Sequence, residues 1–192
     1  MSGVKNVILC GVGGQGTILA SRILSICLIE AGYDVKMSEI HGMPQRGGNV
    51  TTQVRYGEKV YSPIIGKGSA DVLVAFEKLE ALRNLSDVRT DGGTVIINDF
   101  AIQSLLTLQG AMEYPDDAAE RVRALVKDTK VIDATGLATD LGNPKAANIV
   151  LLGATVKALG LESLDWDSAL EQCVKPEFLE MNKLAFKAGL EA

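Results

Sequence analysis

The sequence predicts a three-layer α/β/α sandwich on a Rossmann-like, mostly parallel sheet, with an antiparallel hairpin insertion and a helical C-terminal part. Short apolar runs at residues 6–10, 71–76 and 94–99 are typical of strands that are buried on both faces. Segments with apolar residues at helical spacing separate these runs. Strands that alternate with helices predict a sheet that is covered by helices on both faces.

The first strand and the first helix flank a glycine-rich turn. Residues 6–10 run into glycines, and residues 17–32 have helical spacing that Gly32 ends. Residues 34–39 then alternate polar and apolar side chains, which predicts a second strand. Because a crossover helix joins the two strands, we expect them to pair in parallel.

An antiparallel insertion is predicted over residues 49–65. This segment is rich in β-branched and aromatic residues, which favour strands. Gly57 and Glu58 can form the tight turn of a hairpin within it. We therefore expect both strands of the hairpin to lie between residues 49 and 65.

Beyond the insertion, strands and helices alternate towards a helical end. Pro115 marks a helix start, because proline costs no hydrogen bond in the first turn. The predicted helices are 77–85, 115–128, 143–160, 165–173 and 175–189, and a strand is predicted at 130–134. We predict one domain over residues 1–192, because a chain of this length with 47% hydrophobic residues can bury one core.

The composition argues against several classes of protein. A formal net charge of -5 offers no basic face for nucleic acid. Three cysteines, none in C-x-x-C spacing, predict a reduced, cytoplasmic protein without a metal site of its own. The N-terminus lacks the apolar core of a signal peptide, and the apolar stretch from Ile149 stops at Lys157, so no membrane span is expected.

The segment CGVGGQGT at residues 10–17 has the spacing G-x-G-x-x-G. Gly11, Gly13 and Gly16 could let backbone N–H groups at a helix start face an anion, as in dinucleotide-binding loops. Glu39 lies about 20 residues further on, where such loops have an acid for the ribose. The glycines could equally serve only a tight turn and close helix packing, and both interpretations stay open.

The segment HGMPQRGG at residues 41–48 has the composition of a shaped polar loop. His41 is the only histidine and could act as an acid or base, although a hydrogen-bonded loop histidine is the favoured alternative. Arg46 could clamp a carboxylate or phosphate, with a structural ion pair or a subunit contact slightly favoured. Gln45 and Asn49 can orient a ligand or tie the loop to itself.

Two further polar residues follow or interrupt apolar segments. Glu77 comes directly after a predicted buried strand, so it could face a crevice, but we favour a place in the first turn of the next helix. Asn148 interrupts an apolar helix face, where an unpaired amide would be costly. We expect it to bond to a neighbouring loop.

Five segments carry a family resemblance when they are taken together. They are GVGGQGTILASRIL, EIHGMPQRGGNV, YSPIIGKGSADVLVAFEKLEALR, EYPDD and NPKAANIVLLGA. In this order they resemble the gamma-type subunits of the 2-oxoacid:ferredoxin oxidoreductases, above all the indolepyruvate type. The resemblance covers nearly the whole chain and is far more specific than the glycine spacing alone.

The resemblance implies an oxidative decarboxylation of a 2-oxoacid with coenzyme A, which gives an acyl-CoA, carbon dioxide and reduced ferredoxin. It also implies that thiamine diphosphate and the iron–sulfur clusters sit mainly in companion subunits, so that this chain contributes assembly, shape and part of a coenzyme A or substrate path. The expected partners are those subunits, with ferredoxin as the electron acceptor of the complex. The isolated chain could also form a homodimer.

The resemblance extends to two loops that we expect near the carboxyl ends of the strands. The matching residues are Gly11, Gly13, Gly14, Gln15 and Gly16 in the first loop and Gln45, Arg46, Gly47 and Gly48 in the second. Pro44 departs from the family, in which serine is common, so no role that needs a hydroxyl is expected there.

Two other functions remain as alternatives. The first is a stand-alone NAD(P)-dependent Rossmann dehydrogenase, for which only His41 could supply the acid–base group. The second is a non-catalytic binding module without a small ligand, which would expose an apolar surface.

Overall fold

The computed structural model describes residues 3–42, 48–103, 105–111 and 113–192. These residues form one six-stranded sheet in the order β2-β3-β1-β4-β5-β6. The strands are β1 (Lys5–Val12), β2 (Asp34–His41), β3 (Asn49–Gly57), β4 (Val72–Ala75), β5 (Thr94–Asn98) and β6 (Asp128–Ile132). Five of them run in one direction, and only β3 runs against the others.

Helices cover both faces of the sheet. They are α1 (Thr17–Glu30), α2 (Lys78–Arg83), α3 (Leu105–Leu108), α4 (Ala118–Leu125), α5 (Ala134–Asp140), α6 (Ala147–Leu159), α7 (Trp166–Cys173) and α8 (Leu179–Glu191). Short 3-10 turns precede α6 and α8. The predicted α/β class with a helical C-terminal part is confirmed.

The alternation of side chains along β1 produces two separate cores. Val7 and Leu9 pack into a large cluster with residues of α1, α6, α7 and α8. Ile8 and Cys10 face the other way, into a smaller cluster with residues of α2 and α4. Because successive strand residues point to opposite faces, one apolar run supplies both layers.

The predicted parallel pairing of the first two strands is wrong. β3 lies between β1 and β2 and pairs with both of them antiparallel. The crossover through α1 does bring β2 back in the same direction as β1. It leaves room for one strand, β3, between β1 and β2. The handedness and length of a crossover do not fix which strand becomes the neighbour.

The predicted hairpin within residues 49–65 is also wrong. Residues 49–57 form the single strand β3, and its hairpin partner is the preceding β2. Residues 58–65 form a loop in which the Val60 N–H donates to Asp34 Oδ2 at 2.9 Å and the Ile65 N–H donates to Gln53 Oε1 at 2.8 Å. The antiparallel insertion therefore exists, but the segment at residues 42–48 connects its strands.

Most of the remaining element boundaries differ by small shifts, whereas the helices α3 and α5 are absent from the predicted elements. The helix predicted from Pro115 begins at Ala118, because a turn comes first and the Ala118 N–H donates to the Pro115 carbonyl at 3.0 Å. Within the described residues, no helix combines the length and the apolar character that crossing a membrane requires.

Candidate functional site at the carboxyl edge of the sheet

The parallel strands β1, β4, β5 and β6 all end at one edge of the sheet. The glycine loop, residues 12–16, follows β1 and leads into α1. In open α/β sheets, ligands bind outside the carboxyl ends of the strands, where chain direction and helix starts meet. This edge is the candidate site.

Glycines shape the loop for steric reasons that differ from one position to the next. Gly14 and Gly16 have φ angles of 98° and 81°, which side chains rarely adopt. Gly11 has ordinary backbone angles, but a Cβ there would lie 2.8 Å from Gln15 Oε1 and 2.9 Å from Phe76 Cβ. The spacing G-x-G-x-x-G therefore has a steric explanation at Gly11 and Gly16, whereas a Cβ at Gly13 would make only an ordinary contact with the Gly48 carbonyl at 3.7 Å.

Gln15 ties the loop to the sheet. Its Oε1 accepts from the Val12 N–H at 2.7 Å, and its Nε2 donates to the Phe76 carbonyl at 2.9 Å. The amide thereby joins the end of β1 to the end of β4. With both ends of the amide engaged, Gln15 positions the loop rather than presenting a free group to a ligand.

Asn98 makes a second tie along the same edge, and the sequence analysis missed it. This buried side chain donates to the Phe76 carbonyl at 3.2 Å and to Thr135 Oγ1 at 3.0 Å, and it accepts from the Ala134 N–H at 3.1 Å. The ends of β4, β5 and β6 are thus linked by one amide. A buried polar residue that ends an apolar run was the available signal.

The two predicted loops meet at their bases. The Gly13 N–H donates to the Gly48 carbonyl at 3.0 Å, which joins the glycine loop to the start of β3. Asn49 lies against Gly42, whose N–H donates to the Asn49 carbonyl at 2.9 Å, so Asn49 closes the β2–β3 connection. His41 ends β2 through its backbone. The His41 side chain and the predicted residues Gln45, Arg46 and Gly47 lie outside the described part of the chain.

The position of Glu39 argues against dinucleotide binding. Glu39 lies on β2 opposite Thr52, and β3 separates β2 from β1. The acid is therefore two strand spacings, roughly 10 Å, from the strand that carries the glycine loop. In the dinucleotide fold the two strands are neighbours, so the NAD(P) alternative is not favoured.

Glu77 caps a helix, in agreement with the favoured interpretation. It is buried, and its Oε2 accepts from the Glu80 N–H at 3.0 Å at the start of α2. Its Oε1 accepts from the Ile102 N–H and from the Tyr114 hydroxyl. Burial and the bond to Glu77 raise the pKa of Tyr114. Both carboxylate oxygens of Glu77 thus hold neighbouring segments in place.

Glu80 lies beside Glu77 and carries an unusual buried carboxyl group. One oxygen accepts from Arg83 at 2.6 Å, and the other is buried without a hydrogen-bond partner. Burial raises the pKa of Glu80, and Glu77 adds to the rise, while Arg83 opposes it. The Cys10 thiol donates to the Glu80 carbonyl, and burial raises the pKa of that thiol as well.

We predict that Glu80 makes the stability of the protein depend on pH. Because its pKa is raised in the folded state, its contribution is complete below the unfolded pKa and is lost as the pH rises through the folded pKa. In Glu80→Gln this loss is absent, so the wild type should become less stable relative to the variant as the pH rises from 4 to 8. Urea unfolding at several pH values measures this difference.

Glu120→Gln is the matched control for this measurement, because Glu120 is exposed in the first turn of α4. Glu120→Gln should change the free energy of unfolding little, because substitutions of exposed side chains usually have small effects. A difference between Glu80→Gln and the wild type that stays constant with pH would show that Glu80 ionises normally in the folded protein.

Asn148 bonds to the glycine loop as expected. Its Nδ2 donates to the Gly16 carbonyl at 3.3 Å, which holds the start of α6 against the start of α1. A Cβ at Gly16 would overlap this amide. Asn148 and Gly16 therefore form one packed unit.

Two pockets adjoin the glycine loop. The larger has a volume of about 510 Å³ and lies between the loop and the chain around α7 and α8, with an apolar wall that includes Leu19, Phe178 and Met181. The smaller, of about 220 Å³, lies over the ends of β4 and β5. Gly14, Gln15 and Lys145 line both pockets.

The larger pocket has the electrostatic character of an anion site. Lys145 and Lys175 line it, both are exposed, and neither forms an ion pair with another described residue. No side chain caps the start of α1, and its first turn holds no acidic residue. Free N–H groups at a helix start and two nearby ammonium groups favour a phosphate or carboxylate.

The cysteines do not fit an iron–sulfur cluster or a zinc ion. Cys10 and Cys27 lie in the cores on opposite faces of the sheet, and Cys173 lines the larger pocket. Burial raises the pKa of all three thiols, to about 12 for Cys27, which disfavours the thiolate that metals bind. No cluster of metal-binding side chains occurs in the described segments.

Comparisons with known proteins identify the family to which the chain belongs. The family model "Pyruvate ferredoxin/flavodoxin oxidoreductase" matches residues 6–192. The indolepyruvate oxidoreductase subunit IorB of Pyrococcus horikoshii is 34% identical over 194 residues, which cover 97% of this chain and 95% of the relative.

Solved structures agree with this assignment. The gamma subunit of a keto/oxoacid ferredoxin oxidoreductase from Geobacter sulfurreducens has a TM-score of 0.74 at 26% identity, covering 99% of this chain and 96% of that one. A chain of 2-oxoglutarate:ferredoxin oxidoreductase from Magnetococcus marinus shares the fold with a TM-score of 0.75 at 19% identity. This protein corresponds to 31% of that longer chain. The protein belongs to the pyruvate ferredoxin/flavodoxin oxidoreductase family.

Proposed function

We propose that this chain is the gamma-type subunit of a cytoplasmic 2-oxoacid:ferredoxin oxidoreductase that acts on indolepyruvate or a related aryl 2-oxoacid. The similarity to IorB over almost the full length of both chains carries this proposal. The complex would convert the 2-oxoacid and coenzyme A to an acyl-CoA and carbon dioxide while it reduces ferredoxin.

The redox and decarboxylation centres would lie in companion subunits. In such an assembly thiamine diphosphate stabilises the carbanion and iron–sulfur clusters carry the electrons. The three cysteines of this chain lie far apart in the fold, and two of them are buried, which suits that division. Exposed apolar side chains of the edge strand β2 and of the loop after β3, namely Ile40, Tyr61 and Ile64, support a partner surface.

The part of this chain in the reaction would be to hold coenzyme A beside the glycine loop. Lys145 and Lys175 would bind its phosphates together with the N–H groups at the start of α1. The apolar wall of the larger pocket would accommodate the less polar part of the molecule. Asn98 and Gln15 would keep the strand ends fixed during binding.

Neutralising the two lysines should weaken the use of coenzyme A by the assembled enzyme. We expect Lys145→Gln and Lys175→Gln each to raise the KM for coenzyme A roughly tenfold, since each removes one charge-assisted contact. The KM for the 2-oxoacid and the kcat should change little. Steady-state kinetics with each substrate varied in turn measures the KM for coenzyme A, the KM for the 2-oxoacid and the kcat.

Lys187→Gln supplies the control, because Lys187 lies on the surface of α8 outside the pocket and is 72% exposed. An unchanged KM for coenzyme A in both pocket variants would remove the proposed binding role. Membership of the complex is tested separately, by anaerobic purification of the tagged chain and analysis of what accompanies it in fixed ratio.

A further inference from the structure

A third pocket, distinct from the two beside the glycine loop, lies at the opposite, amino end of β1. Its volume is about 580 Å³, and it lies where α1 and α6 end and where β3 ends. Tyr33, Tyr56 and Leu161 form part of its wall, and Lys5 and Glu58 contribute the charged groups. None of these residues belongs to the site at the carboxyl edge.

Tyr56 brings an unpartnered polar group to this pocket. The residue is only 4% exposed, and its ring packs edge-on against Tyr33 with ring centroids 5.4 Å apart. Its hydroxyl makes no hydrogen bond with another described residue. The hydroxyl oxygen nevertheless keeps some surface that solvent can reach. Burial raises the pKa of Tyr56, so the hydroxyl stays protonated and can donate as well as accept.

The C-terminal end of α1 gives the pocket a negative character on one side, whereas Lys157 in the last turn of α6 offsets the dipole of that helix. Ala31 and Gly32 follow α1, and Gly160 ends α6 with a φ of 66°. The last turn of α1 contains no basic residue, so its dipole is not balanced by a side chain. Helix C-termini and the face of a tyrosine ring both attract an ammonium group.

The rim carries one charge of each sign. Lys5 is half exposed and forms an ion pair with Asp71 at 3.3 Å, which leaves some of its three N–H donors available. Glu58 is exposed and has no ion-pair partner among the described residues. A ligand with an ammonium and a carboxylate group would match both ends of this rim.

We propose that this pocket binds a free α-amino acid with an aromatic side chain. The ammonium group lies towards Glu58 and the C-terminal end of α1, and the carboxylate lies towards Lys5. The aromatic ring packs against Tyr33 and Leu161, and the Tyr56 hydroxyl hydrogen-bonds to the ligand. This inference does not depend on the proposed enzymatic function, because it concerns the opposite end of the fold.

Isothermal titration of the full chain with L-phenylalanine tests the proposal. We expect one molecule bound per chain, and we expect phenethylamine and 3-phenylpropionate to bind more weakly, since each lacks one charged group. Tyr56→Phe removes only the hydroxyl and should weaken binding roughly threefold to tenfold, the effect of one hydrogen bond. Ala31→Phe adds a ring at an exposed pocket residue and should abolish binding.

Tyr61→Phe is the matched control, because Tyr61 is 89% exposed and does not line the pocket. The single tryptophan gives a second readout, since the Trp166 indole N–H donates to the Leu161 carbonyl at 2.9 Å, so its fluorescence should change on binding. The proposal is overturned by no heat at millimolar L-phenylalanine, by equal binding of phenethylamine, or by unchanged binding in Tyr56→Phe. Circular dichroism verifies that each variant is folded.

Discussion

Replacing Gly189 by alanine is expected to lower the free energy of unfolding by about 3 kcal/mol or more. Gly189 and Gly153 face each other where α8 crosses α6. A Cβ at Gly189 would lie closer than 3.0 Å to the Val150 carbonyl, and backbone atoms cannot move aside as a flexible side chain can. The two helices would have to separate, with loss of packing around Phe186.

Gly66→Ala is the control for this prediction. It adds the same methyl group at a glycine with ordinary backbone angles, and the nearest atom is Ser69 Oγ at 3.6 Å. Urea unfolding of both variants should show a large change only for Gly189→Ala. Similar small changes in both would mean that the helices are less tightly packed than described.

Replacing Gly16 by alanine is expected to destabilise the protein by about 3 kcal/mol, from two separate causes. The φ of 81° is unfavourable for alanine, and the added Cβ would overlap the Asn148 amide. Displacement of Asn148 would also break its bond to the Gly16 carbonyl. Thermal and urea unfolding measure the total loss in the free energy of unfolding.

Gly14→Ala separates the two causes. Gly14 has a φ of 98°, but a Cβ there would meet nothing within 4 Å, so only the backbone cost of about 1 to 2 kcal/mol applies. The double variant Gly16→Ala, Asn148→Ala should recover part of the loss by removing the overlap. Equal losses in Gly14→Ala and Gly16→Ala would contradict the packing of Asn148 against the loop.

The order of most strands and helices could be predicted from local patterns because each is encoded within a short segment, although the short helices α3 and α5 were missed. The apolar run of β1 and the helical spacing of α1 needed no information from elsewhere in the chain. The pairing of β3 with β1 could not be predicted in this way. It depends on contacts between residues more than 35 positions apart, such as Leu9 and Thr52.

The candidate site was predictable as a location rather than in its details. The glycine spacing correctly indicated a tight turn at the end of a strand, and Asn148 bonds to that turn. The ties made by Gln15 and Asn98 depend on where the ends of β4 and β5 lie in three dimensions. Lys145 and Lys175 lie 30 residues apart, and only the packing of the C-terminal helices brings them to one pocket.

The most direct test of the proposed function is the reaction of the complex itself. The tagged chain, purified anaerobically with its companion subunits, should release carbon dioxide and reduce ferredoxin only when a 2-oxoacid and coenzyme A are both present. We expect indolepyruvate to give a higher kcat/KM than pyruvate or 2-oxoglutarate. A chain that purifies alone and binds NAD or NADP, or a complex without 2-oxoacid-dependent reduction of ferredoxin, would contradict the account.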